Sequence, residues 1–156
     1  MIYSIRLVSW GEARSALTAV REAVFIREQG VPSQLEWDGL DDSALHALAE
    51  DERSQPIGTA RLLENGHIGR MAVLASWRGR GVGTAMLERV LMAARARGVS
   101  APRLHAQTHA VEFYRRLGFE VVSGQFLDAG IPHVTMQRDI CPDQDARATD
   151  GDSGKV

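Results

Sequence analysis

The sequence predicts a mixed α/β fold in the order strand, helix, loop, three strands, helix, strand, helix, two strands. Three observations predict it: short runs that alternate apolar and polar residues, longer stretches with apolar residues at three- and four-residue steps, and Gly-, Asn- and Pro-bearing turns between them. No internal repeat is visible. The 156 residues suffice for one sizeable core and leave no room for a second domain.

The run from Ile2 to Val8 sets Ile5 and Leu7 against Ser4 and Arg6, the period of a half-buried strand. From Gly11 the period lengthens. Ala13, Ala16, Leu17, Val20 and Val24 fall on one face of a helix that the stop signal Gln29-Gly30-Val31-Pro32 ends. Ser33 to Ser43 is acidic and turn-rich, an ordered loop with room for one helical turn. His46 to Glu50 and Ile57 to Leu63 are strand-like and joined by a polar turn, which predicts an antiparallel hairpin. Asn65-Gly66 turns the chain into a further strand, His67 to Leu74. Beyond a glycine-rich loop, Val82, Met86, Val90 and Ala93 recur at helical spacing, with Arg89, Arg95 and Arg97 toward solvent and Gly98 as C-cap. Arg103 to Gln107 is a short strand. Ala110, Phe113, Tyr114 and Leu117 mark a helix closed by Gly118, and the strands Glu120 to Phe126 and His133 to Arg138 flank the turn Asp128 to Pro132. Residues 1–140 are expected to form the domain and 141–156 a disordered tail, since from Pro142 onward there is too little apolar content to offset the entropy of ordering.

Composition narrows the function. The chain is 44% hydrophobic and 24% charged with a net charge of -2, so no global field draws it to nucleic acid or anionic lipid. The start MIYSIRLVSW lacks signal-peptide character and no apolar run reaches membrane-spanning length, which leads to the expectation of a cytoplasmic protein. One cysteine, Cys141, allows neither an internal disulfide nor a zinc-finger site. His105 and His109 stand four apart without a His-Glu-x-x-His pattern, so structural histidines are expected rather than metal ligands.

The segment Arg78-Gly79-Arg80-Gly81-Val82-Gly83-Thr84 lies between a strand and a helix. Its glycines let backbone N–H groups converge, and the helix N-terminus adds positive potential, so the loop suits a diphosphate. A tight strand-to-helix turn would favour glycine as well, but the alternation with arginine points to phosphate. No Gly-Lys-Ser/Thr follows, which excludes a Walker loop. The dinucleotide fingerprint fails in both registers, meeting Thr84 or Met86 where Gly or Ala is required.

Arg78-x-x-Gly81-x-Gly83 resembles the Q/R-x-x-G-x-G/A motif of GNAT acetyltransferases. Gln107-x-x-Ala110-x-x-Phe113-Tyr114-Arg115-Arg116-Leu117-Gly118-Phe119 resembles that family's N-x-x-A-x-x-(apolar)-Y-x-x-x-G-F, with Gln107 where many members carry Asn. Phe25-x-x-Glu28-Gln29-x-Val31-Pro32, Glu36-x-Asp38-Gly39-x-Asp41, His46 and Leu104-His105-Ala106-Gln107 look like the ElaA-like branch. Together these cover about residues 2 to 140.

The resemblance implies a central, mostly antiparallel sheet flanked by helices, with the fourth and fifth strands splayed. It implies acetyl-CoA as cofactor, pantetheine pairing with the backbone of Met71, Ala72 and Val73, and pyrophosphate meeting N–H groups from Arg78 through Gly79, Arg80, Gly81, Val82 and Gly83 to Thr84, with Gln107 nearby. Tyr114 matches the general acid, because a phenol stays protonated at neutral pH and can donate to a departing thiolate. The base is left open among Glu28, Glu36, Asp38, His46, Glu50 and a water relay. Glu28, Glu36, Trp37, Asp38 and His46 are candidate contacts for the acceptor, since an acidic loop with an aromatic face can attract an ammonium group, although solvated carboxylates would look the same. The implied activity is N-acetyl transfer to a primary amine of a small molecule, peptide or protein, with homodimerisation compatible. A noncatalytic acyl-CoA sensor is the alternative, and a nucleotide-binding regulatory domain a weaker one.

Overall fold

The computed structural model describes residues 2–141; the tail from Pro142 lies outside the described residues. The strands are β1 (Tyr3–Ser9), β2 (Leu45–Asp51), β3 (Pro56–Leu62), β4 (His67–Val73), β5 (Arg103–Gln107), β6 (Glu120–Val121), β7 (Phe126–Asp128) and β8 (Ile131–Gln137). They form one sheet in the order β1-β2-β3-β4-β5-β8-β6, with β7 also on β8. Every pairing is antiparallel except β4 with β5, which matches only His67 with Arg103 and Ile68 with Leu104 before the strands part. The helices are α1 (Trp10–Arg21), α2 (Ser33–Glu36), α3 (Val82–Ala96) and α4 (Val111–Arg116). Among the described residues no helix is long and apolar enough to cross a membrane.

Ser9 starts α1 with a capping box: its hydroxyl accepts from Glu12 N–H, and the Glu12 carboxylate accepts from Ser9 N–H. The expected single helix to Gln29 is not continuous, because Glu22–Glu28 is π-helical. The wider turn closes through Gln29 N to Val24 O at 3.0 Å, keeping Val24 packed on Ala72 while Glu28 and Gln29 border the cleft described below. The expected strand Glu120 to Phe126 is also divided. Ser123 sits at the break, and its hydroxyl accepts from Thr135 N–H on β8 at 2.8 Å, replacing a ladder bond.

Helix α3 covers one face of the sheet, with Met86, Leu87 and Val90 packed among Ala47, Ala60, Ile68 and Leu104. Contact is close at Gly58, where a Cβ would lie 2.9 Å from Met86 Cε. Helix α1 covers the opposite face through Ala13 and Leu17 against Val8 and Leu48. On β4, Arg61 pairs with Gly69 and Thr59 with Ala72, so Arg70 and Met71 oppose a single β3 residue. Arg70 has φ +48°, and Thr59 Oγ1 donates to its carbonyl at 3.0 Å. This bulge bends β4 where it leaves β5.

Candidate active site

The parting of β4 and β5 opens a cleft of two adjoining cavities, about 790 Å³ and 450 Å³. Met71, Ala72, Val73, Arg78, Ala110 and Tyr114 border both, so the two adjoin along β4.

The smaller cavity is lined by Gly79, Gly81, Val82, Gly83 and Thr84. Gly81 is the N-cap of α3 at φ +84°, and no side chain caps that helix, so its first N–H groups remain free for an external acceptor. A Cβ on Gly83 would stand 3.3 Å from Phe113 Cζ, and one on Gly81 3.5 Å from the Tyr3 hydroxyl. The loop thus offers free donors with side-chain bulk excluded, which fits a diphosphate. Its arginines are tied elsewhere. Arg78 donates to both Glu28 carboxylate oxygens at 2.7 Å and from Nε to Val73 O at 3.0 Å; Arg80 donates to Ser76 O and lies over Trp77.

Tyr114 stands where the cavities join, 8% exposed, its ring edge-on to Phe113 and Phe119. Burial pushes its phenol up to about 12, so the hydroxyl keeps its proton at neutral pH. At the end of β5, Gln107 borders the larger cavity.

Of the five candidate acceptor contacts, Glu28 and Glu36 border the larger cavity, whereas Trp37, Asp38 and His46 do not. Three arginines hold the acidic loop. Buried Arg21 donates to Glu36 Oε2 at 2.8 Å and Asp41 Oδ1 at 2.6 Å, and Arg61 donates to both Asp38 oxygens at 2.9 Å and to Asp41 at 3.2 Å. Arg70 reaches from the bulge to Glu36 O and Asp38 Oδ2. Its Nε lies 3.0 Å from Glu36 Oε2 but off the hydrogen-bond direction, so this contact contributes charge pairing alone. The three guanidiniums pair with Glu36, Asp38 and Asp41, so these carboxylates are not free to draw in a cation; the fourth acid of the loop, Asp42, is exposed. Trp37 lies against the Arg21 guanidinium, and His46 Nε2 donates to Asp41 O beside Trp10. Glu36 is raised from its ordinary value by burial, against the pull of Arg70 and Arg21. Glu50, a further base candidate, pairs with Arg6 on β1.

Residues 14–140 match the model of the acetyltransferase (GNAT) domain. The chain belongs to the GNAT acetyltransferase family. The uncharacterized N-acetyltransferase YjcF of Bacillus subtilis is 41% identical over 124 residues, 77% of this chain and 88% of YjcF. Protein ElaA of Escherichia coli is 32% identical over 133 residues, 80% of this chain and 86% of ElaA. The ElaA crystal structure superposes with a TM-score of 0.79 at 28% identity, covering 88% of this chain and all of that one. An acyl-CoA N-acyltransferase from Pseudomonas aeruginosa superposes at 0.78 with 32% identity, covering 88% and 99%. The GNAT sheet with splayed β4 and β5 is the architecture that the two sequence motifs implied.

The GNAT domain also brings together residues that the sequence reading set aside. His67, His105 and His133, from β4, β5 and β8, all border the larger cavity beside Asp128. The alternation of buried Leu104 and Ala106 with His105 and Gln107 on β5 was the available signal, since it turns His105 away from the core.

Proposed function

We propose that this GNAT domain transfers an acetyl group from acetyl-CoA to a primary amine of a small molecule, peptide or protein. The observation that carries the reading is Tyr114: a buried phenol that keeps its proton, placed where the free N–H groups of α3 and the larger cavity meet along β4. In this reading the N-terminus of α3, with Gly81, Val82, Gly83 and Thr84, holds the pyrophosphate. The backbone of Met71, Ala72 and Val73 aligns the pantetheine arm. Acetyl-CoA, when bound, supplies a thioester as the acyl donor. Tyr114 then delivers its hydroxyl proton to the leaving sulfur. Arg78 serves by position, because its bonds to Glu28 and Val73 O tie the loop to β4 and the π-helical segment. The bonding of Asp38 to two arginines supports leaving it out of the chemistry.

Thermal-shift measurements with CoA, acetyl-CoA, ATP and NAD, followed by thiol-release assays with simple amines, test this reading. CoA and acetyl-CoA are expected to stabilise the protein well beyond ATP or NAD, with thiol release dependent on amine. Equal stabilisation by ATP, or no amine-dependent release, would refute it.

A further inference from the structure

His67 pairs in register with Arg103, and His133 with Gln107, so their side chains share the face of β5 that presents His105. Leu104 and Ala106 fill the core on the other face. Three imidazoles therefore form a row on the wall of the larger cavity. The His105 ring centroid lies 4.6 Å from His67 and 5.0 Å from Phe126, both edge-on, and Phe126 stacks on His133 at 6.1 Å.

Three carboxylates border this cavity. Glu28 is bonded to Arg78, and Glu36 to Arg21. Asp128 pairs with no arginine among the described residues, and its Oδ2 lies 4.0 Å from His105 Nδ1. A two-residue turn fixes it at the cavity mouth: Ala129 at φ +52° and Gly130 at φ +75° join β7 to β8. Alanine is disfavoured in the left-handed region, so the tight hairpin is held against local preference.

We propose that Asp128 and His105 form the docking site for the acceptor's ammonium group, with Asp128 holding the cation and His105 Nε2 accepting one of its protons. The inference rests on the transferase reading. One N–H bond of the ammonium breaks and one forms at His105 Nε2; the electron pair stays on the amine nitrogen, and the proton passes from the imidazolium to water. Asp128 faces the Nδ1 side of the ring and so stabilises the imidazolium. The titratable groups facing His105 are His67 on β4, Asp128 on β7 and His133 on β8. Burial, with His133 acting in the same direction, holds His105 below the usual imidazole value against the pull of Asp128, so its ring is neutral at pH 7 and free to accept. Burial and His105 bring His67 down to about 4, so it adds no competing charge.

The test titrates benzylammonium chloride into the full chain with CoA present and follows the His105 Cε1–H resonance, assigned by its loss in His105→Gln. A saturable shift is expected, with affinity at least about tenfold weaker in Asp128→Asn and CoA affinity unchanged in both variants. In benzylamine kinetics, His105→Gln should lower kcat/KM by about 10²-fold and abolish the acid limb of its pH profile. No saturable shift, equal affinity in Asp128→Asn, or full kcat/KM in His105→Gln would overturn the proposal. Failure of every amine to release thiol would instead overturn the transferase reading, while the titration would still decide the docking site.

Discussion

Gln107 Nε2 donates to Gln29 Oε1 at 3.0 Å, joining residues 78 positions apart where β5 faces the π-helical segment. Asparagine at position 107 is one methylene too short to keep this bond from the same backbone position. Gln107→Asn should therefore destabilise the fold by about 1 kcal/mol, the usual net value of one such bond, and lower Tm by roughly 3 °C. Calorimetry checks this; an unchanged Tm would mean that the two amides do not meet in solution.

Tyr114→Phe should lower kcat by about 10²-fold, the low end for general acid catalysis, because a thiolate leaves tolerably well near neutral pH. Acetyl-CoA affinity should stay near wild type, since the ring packed between Phe113 and Phe119 is retained. The deficit should shrink as pH rises toward the thiol pKa. Full kcat across pH would reduce Tyr114 to a packing role, whereas collapse of acetyl-CoA binding would make it a binding residue.

Gly83→Glu should abolish measurable CoA binding, because it places a carboxylate at the first turn of α3, where the free N–H groups are expected to meet the diphosphate. Gly83→Ala separates charge from bulk: its Cβ asks only that Phe113 Cζ yield from 3.3 Å, so CoA affinity should fall far less. Isothermal titration of both variants decides the matter, and equal losses would show that packing rather than anion binding governs the site.

Acid stability should carry the signature of Asp38. Partial burial works to raise its carboxyl, but the bonds from Arg61 and the Leu40 N–H, with the charges of Arg61 and Arg70, hold it down to about 2 from 3.8. A depressed folded value stabilises the fold above the unfolded value, and that stabilisation is lost as pH falls through 3.8 toward about 2. Its size at neutral pH is on the order of 2 kcal/mol. Asp38→Asn should thus lie well below wild type at pH 7 in denaturant melts and converge with it near pH 2. A constant gap over that range would show that Asp38 does not titrate as its partners require.

The α3 cradle was legible because its features are local: glycines at 79, 81 and 83, and a helix beginning directly after them. The succession of strands and helices came from periodicity and turn residues, whereas the β4–β5 splay came only from the resemblance carried by the paired motifs. What escaped depended on distant partners. Glu36, Asp38 and Asp41 look like an acidic patch until Arg21, Arg61 and Arg70 arrive from a helix and two strands to pair with them. The Arg70 bulge and the π-helical turns each insert a residue without changing residue type, so no 2- or 3.6-residue period reveals them. The imidazole row needed β4, β5 and β8 side by side, an adjacency that sequence order hides.

The arginine network also limits how this end of the domain can diverge. Grafting a different segment in place of Ser33–Asp42 would strand Arg21 and Arg61, both almost wholly buried, without their anions. Removing one partner of a buried pair typically costs ~3–5 kcal/mol, a large share of what holds such a domain folded. A descendant with a new loop must therefore keep the acids at 36, 38 and 41 or exchange the arginines of α1, β3 and β4 in concert. By contrast, Phe126, Asp128 and the hairpin that carries them are free of that network. Sequence change would meet least structural resistance there.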